Sequence, residues 1–271
     1  MLPYEDMLHR MLANLIAYKR NMNKREDDDK FIPVTEDNVD LDDELELLCT
    51  QRPVHKVAIV AYSSNSSLCG SFNANVFKAA AKMVDYSGGN QGVVLYAVGK
   101  KMSESFAGAG LASEGDWSDM AQHPSYSKAG ELADRLMEDY AQGRFSKIIL
   151  VWNHFVSTST QKPKVETLLP FDTSLLAELT GDRGLQDDED YIVEPGREKL
   201  FDELLPQVIR LKLYSVLLDS NAAEHAARTV AMQIATDNGN EILSELTLEY
   251  NKGRQAKITA EILDLAGGAQ Q

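Results

Sequence analysis

"AAEHAARTVAMQIATDNGNEILSELTLEYNKGRQAKITAEILDLAGGA", residues 222–269, decides how this chain is read. Ile258, Ile262 and Leu265 recur at spacings of four and three, the period of a helix face. Working back toward the middle of the chain, no proline follows Pro206, and Gly239 is the only glycine between Pro206 and Gly253. Nearly everything from 196 to Ala266 is therefore helix-compatible. A helix of about 70 residues runs about 105 Å at 1.5 Å per residue, several times the width of a small domain. Its apolar stripe is expected to need a second helix beside it. Ala223, Ala227, Ala231 and Ala235 stand four apart, and Ala222, Ala226, Val230 and Ile234 run alongside. Such a ladder of methyl groups lets two helix backbones approach closely, so it reads as the seam of a two-helix coiled coil. Alanines chosen only as helix formers would explain helicity but not the regular spacing. Toward the end the seam thins through Ile242, Leu246, Tyr250 and Gly253.

Upstream the pattern changes. Residues 3–22 read as an amphipathic helix, with Met7, Met11, Leu12 and Leu15 at helical spacing, and KREDDDK (24–30) as a solvated, charge-dense loop. Three apolar runs, 55–62 (HKVAIVAY), 92–98 (GVVLYAV) and 147–155 (KIILVWNHF), read as buried strands. Helices are expected between them, from about Phe72 to Val84, near 100–107 and over 126–142. VETLLPF (165–171) reads as an edge strand that Pro170 ends. Strand–helix alternation of this kind means βαβ units and a parallel sheet. The expected division is an N-terminal helix (1–22), a charged linker (23–52), an α/β domain closing in an acidic loop (53–195) and the long helix (196–271).

The formal net charge of −15 argues against nucleic acid or an anionic membrane as a direct partner, since both need a basic face. The longest apolar runs are far too short to span a bilayer. Two cysteines, Cys49 and Cys69, are too few for a disulfide framework.

Chemistry is sparse. No phosphate-cradling G-x-x-x-x-G-K-[ST] loop occurs, and Gly108-Ala-Gly110 follows a helix rather than a strand, unlike a dinucleotide fingerprint. The histidines and cysteines show no metal-ligand spacing, and the Asp28/Asp29 and Asp187/Asp188/Asp190 clusters lack that of a calcium loop. No cofactor, metal or catalytic residue is expected. One alternative stays open: an α/β enzyme or ligand-binding domain using Cys69, which lies in the first strand-to-helix turn where a helix N-terminus would favour a thiolate.

Three stretches carry a resemblance: SLCGSFNANVFK (67–78), YIVEP (191–195) and residues 222–269. Together with the opening LPYEDMLHRMLANL they resemble the gamma subunit of the rotary ATP synthase over essentially the whole chain. The turn departs from the family's Asp-Arg-Gly-Leu-Cys-Gly-Gly, having Asn65-Ser66-Ser67 before Leu68 and Ser71 for the last glycine. The resemblance implies a Rossmann-like domain inserted between an N-terminal and a very long C-terminal helix, paired in the family as an antiparallel coiled coil. It also implies a further N-terminal helix ahead of LPYE, expected to be missing here. An isolated chain without it is expected to self-associate through the Ala223–Ala235 face.

The function so implied is that of a non-catalytic central-stalk rotor in a proton-translocating ATP synthase, peripheral on the cytoplasmic face of the bacterial inner membrane. The implied partners are the alpha and beta subunits of the catalytic ring, the epsilon subunit and the membrane c-ring. Arg254 and Gln255 match the family's Arg-Gln pair that contacts beta, Glu261 lies on the same final helix, and Arg228 matches a further contact with the alpha/beta ring. Tyr191 and Glu194 match a segment near the rotor ring and epsilon. Gly253 replaces the family's usual Ala and should soften the helix by about 1 kcal/mol.

Overall fold

A computed structural model describes residues 55–171 and 197–268, together with Met7, Met11 and Leu48. The expected linker and acidic loop, and most of the expected N-terminal helix, lie outside the described residues. Met7 and Met11 are helical, and Leu48 is buried with its carbonyl accepting from Phe171 N–H.

Three strands make the parallel part of the sheet. β1 (Val57–Tyr62), β2 (Val93–Val98) and β3 (Lys147–Ser157) are β-branched and apolar where they cross the core. β1 pairs parallel with β2, Val57 opposite Val93 through Tyr62 opposite Val98, and parallel with β3, Val57 opposite Lys147 through Ala61 opposite Val151. β4 (Thr160–Leu169) completes the order β2-β1-β3-β4. The three strands of the expected βαβ units are parallel, and β4, at the edge as expected, runs antiparallel to β3. The connection between them is too short for a crossover and can only make a hairpin. The edge strand therefore begins at Thr160, earlier than expected, and ends directly before Pro170.

Because side chains alternate along a strand, each face gathers its own helices. Val57, Ile59 and Ala61 pack against α1 (Phe72–Tyr86) through Val76, Ala80 and Val84, and against α2 (Lys100–Gly108) through Met102 and Phe106. Ala58, Val60 and Tyr62 face the other way. They meet Leu132, Leu136 and Tyr140 of α4 (Tyr126–Ala141), which follows the short α3 (Ser118–Gln122). The same layer includes Leu205, Ile209, Leu213 and Val216 of α5 (Arg197–Gly268).

α5 is a single helix of 72 residues, about 108 Å long at the standard rise. Its first half is a layer of the domain, not a free rod. Burial continues through Ala227, Ala231 is half-buried, and residues 232–265 are exposed apart from the half-buried Asn251. The expectation that the domain alone cannot bury the stripe agrees with this exposure, while up to Ala227 the chain's own domain does cover it. A strict four-residue repeat also slips about 40° per step around a helix of 3.6 residues per turn. The alanine ladder is consequently a spiral. Ala223 and Ala227 pack against Cys69 and Phe72, whereas Ala235 lies past the domain, where the helix is exposed on every face. Two rungs are already buried at home, so the ladder cannot serve as one continuous self-association face.

Candidate interface where the long helix leaves the domain

The turn between β1 and α1 is built from short polar side chains that replace missing backbone partners. Asn73 Oδ1 accepts from Ser64 N–H at 3.1 Å, and its Nδ2 donates to Ser64 Oγ at 2.7 Å and Cys69 Sγ at 3.2 Å. Ser64 Oγ donates to the Ser66 carbonyl at 2.6 Å. Ser63 Oγ accepts from Met102 N–H at 3.0 Å, joining this turn to the start of α2. Leu68 and Gly70 take left-handed conformations, φ 66° and 59°. Leu68, which lacks glycine's freedom there, points its side chain into solvent.

Cys69 is 2% exposed. It packs with Phe72, Ala223 and Ala227, and this overturns the alternative of a reactive thiol, because a nucleophile must reach its substrate. The thiol fills space under the turn as a small apolar group. Beside it Asn153, fully buried, donates to the Phe72 carbonyl at 2.9 Å.

β1 lies between β2 and β3, so the chain crosses over in opposite directions from it. In open α/β sheets the crevice at the carboxyl ends of two such strands is where ligands bind. Here α5 lies across it. Asp219 meets the end of β3, accepting from Trp152 Nε1 at 2.8 Å and Phe155 N–H at 3.1 Å. Ala223 and Ala227 cover the turn. Arg228 Nη2 donates to Ser66 Oγ at 2.7 Å while Nη1 bonds Glu224 at 2.6 Å. The crevice at the ends of β1 and β3 is thus occupied by the chain's own helix.

Arg228 thus stands at the collar where the helix leaves the domain. Arg254, Gln255 and Glu261 are exposed on the bare half. Arg254 lies about 39 Å beyond Arg228 along the axis, so these are two separate sites. Arg254 and Glu261, seven residues apart, share a face, and Gln255 is turned about 100° from it. Tyr191 and Glu194 lie outside the described residues. Sequence reasoning missed Asp219, and it gave Asn73 and Ser66, within stretches it quoted, no contact of their own. The partners of Asp219 and Arg228 are brought close only by folding.

Among the described residues, no group of three His, Cys, Asp or Glu side chains is placed to hold a metal ion, and no helix is long and apolar enough to cross a membrane.

The family described as ATP synthase matches residues 1–271. The ATP synthase gamma chain of Phocaeicola vulgatus is 42% identical over 274 residues, which cover 99% of this chain and 85% of that protein. The ATP synthase gamma chain of Bacteroides fragilis is 43% identical over 260 residues, 95% of this chain and 86% of that one. Among solved structures, a chain of the Euglena gracilis mitochondrial ATP synthase (OSCP/F1/c-ring) superposes with a TM-score of 0.53 at 18% identity, covering 99% of this chain and 89% of that one. A chain of the Tetrahymena thermophila mitochondrial ATP synthase central stalk/c-ring superposes with a TM-score of 0.51 at 20% identity, covering 85% and 99%. At these identities the two structures speak to the fold alone.

Proposed function

Because this chain belongs to the ATP synthase gamma-chain family, we propose that it is the turning shaft of a proton-translocating ATP synthase and performs no bond chemistry itself. The observation that carries this reading is the division of α5. One half is buried as a layer of the α/β domain, and the other stands bare from Met232 to Leu265. Ile234, Ile242, Leu243, Leu246, Leu248 and Leu263 are all more than half exposed on that bare half. A lone helix with such a stripe is marginal in water and is covered by other chains when it works.

The bare half fits the inside of the ring of alpha and beta subunits, beside the family's further N-terminal helix. Arg254, Gln255 and Glu261 are our proposed contacts with beta, where the planar Arg fork suits bidentate acceptors. Arg228 is the proposed contact with the ring at the collar. Five N–H donors let it keep Ser66 and Glu224 and still reach outward. Ala231 and Ala235, past the covered rungs Ala223 and Ala227, are the proposed start of the seam with the N-terminal helix. The α/β domain is proposed to rest on the c-ring with epsilon, through Tyr191 and Glu194 among others, peripheral to the cytoplasmic face of the membrane. The segment boundaries 1–22, 23–52, 53–195 and 196–271 follow from the same reading. In this arrangement the chain is the coupling element between proton flow and the catalytic sites.

The test is reconstitution. The chain alone is expected to hydrolyse no ATP, and to restore ATP-driven proton pumping when added with its alpha and beta partners to membranes stripped of them. Hydrolysis by the purified chain, or pumping indifferent to its presence, would overturn the reading.

A further inference from the structure

The β3–β4 hairpin outruns the sheet. β1 pairs with β3 only as far as Val151, and from Trp152 to Ser157 the ladder continues with β4. The overhang is largely exposed, with Phe155 and Val156 facing solvent. Its attachment to α5 is concentrated on one carboxylate. Asp219 Oδ2 accepts from Trp152 Nε1 at 2.8 Å and lies 2.7 Å from His154 Nδ1, and Oδ1 accepts from Phe155 N–H at 3.1 Å. Both oxygens are engaged, by groups fixed to a strand whose Trp152 ring is itself buried.

The geometry of this grip differs from most of the α5 contact; Asn221, donating to the Ala121 carbonyl at 3.0 Å, is another short directional tie. Apolar packing of Leu205, Ile209 and Leu213 is strong but non-directional, and resists turning of the helix about its own axis only through shape. Arg210 with Asp134, and Lys212 with Glu166, join the ends of long side chains and can follow a turn. A short carboxylate holding a backbone N–H and a buried indole N–H has no such slack, because charge-assisted hydrogen bonds weaken steeply off line. Asp219 also sits one short stretch before the last buried rung at Ala227, where the helix passes out of the domain.

We propose that Asp219 is a positioning residue that locks the rotational angle between the α/β domain, through its β3–β4 hairpin, and the long helix, so that turning the domain turns the helix without slip. This rests on the rotor reading and names the residue that makes the joint stiff.

The experiment uses the complete complex in sealed membrane vesicles, measuring ATP hydrolysis and ATP-driven proton pumping side by side. In D219A, hydrolysis is expected to stay within about twofold of the unaltered complex while protons pumped per ATP fall about fivefold or more, the low end of a coupling between sites. D219N keeps an acceptor for Phe155 N–H and is expected to fall between the two. Trp152→Phe removes one donor while keeping a buried ring, and is expected to lower the ratio in the same direction; it carries the test if D219A does not assemble. A merely structural role would lower assembly, and with it both activities in proportion. A pumping-to-hydrolysis ratio unchanged in D219A, D219N and W152F, or both activities falling together, would overturn the assignment of Asp219 alone. Failure of the unaltered chain to support pumping would overturn the rotor reading, and this inference with it.

Discussion

Arg228 donates to the Ser66 hydroxyl at 2.7 Å, across 162 positions of sequence, and in the same fork holds Glu224 at 2.6 Å. Glu224 is 8% exposed. A carboxylate so buried needs its cation, because removing one partner leaves the other charge desolvated. Arg228→Ala is therefore expected to destabilise the chain by about 3 kcal/mol, and Arg228→Lys, which keeps charge but loses the fork, by about half of that. Urea midpoints of the two variants check this, with Glu224→Gln in the Arg228→Ala background expected to recover part of the loss.

Asn73 gathers Ser64 and Cys69 into one turn. Asn73→Ala removes three hydrogen bonds and opens the cover over the thiol, at about 2 kcal/mol. Alkylation of Cys69 in native buffer is then expected to quicken by about 30-fold, since each 1.4 kcal/mol is tenfold in the open population. An unchanged alkylation rate would mean that the turn is held closed by the Ala223 and Ala227 packing alone.

Gly99 is a position that admits no side chain. Its φ is 111°, and an added Cβ would lie 2.2 Å from the Ser63 carbonyl oxygen. Gly99→Ala is expected to cost about 3 kcal/mol or more, from strain together with displacement of the β1 end. A fall in thermal midpoint checks it, and Gly108→Ala, which meets nothing within 4 Å, is the control.

Glu166 sets a pH dependence. Burial pushes its carboxyl up, but the Lys212 ammonium at 2.7 Å and Lys164 at 3.0 Å outweigh burial and hold it below the ordinary value of 4.5. A folded-state value depressed below the unfolded one adds stability that is present above about pH 4.5 and is lost as pH falls further. Glu166→Gln is expected to remove that contribution at neutral pH and to flatten the stability profile below pH 4.5. Chemical denaturation at a series of pH values checks both.

The two halves of α5 should differ in the isolated chain. Amides of residues 205–227 are expected to exchange slowly with the domain, and those of 232–265 rapidly, because nothing among the described residues covers them. In the assembled complex the second set is expected to become protected. Equal protection of both halves in an isolated monomer would contradict the need for surrounding chains.

Most elements were legible in the sequence, since each rests on local periodicity: the apolar runs at 55–62, 92–98 and 147–155 read as buried strands, and the proline- and glycine-poor stretch after Pro206 as helix. The short helix Ser118–Gln122 and the first half of β4 carry no such pattern. Tertiary structure alone decided how the ladder is used. Spacing tells how often a methyl returns, whereas which rung meets the domain depends on where the Cys69 turn sits and where the helix leaves the domain. The same holds for Asp219 on Trp152 and Phe155, and for Arg228 on Ser66. Hydrogen bonds between residues far apart in the chain leave no periodic trace, because the partners are chosen by distance in space. Sequence thus determined that a long amphipathic helix accompanies an α/β domain, and the folded molecule determined where the helix is gripped and where it is bare.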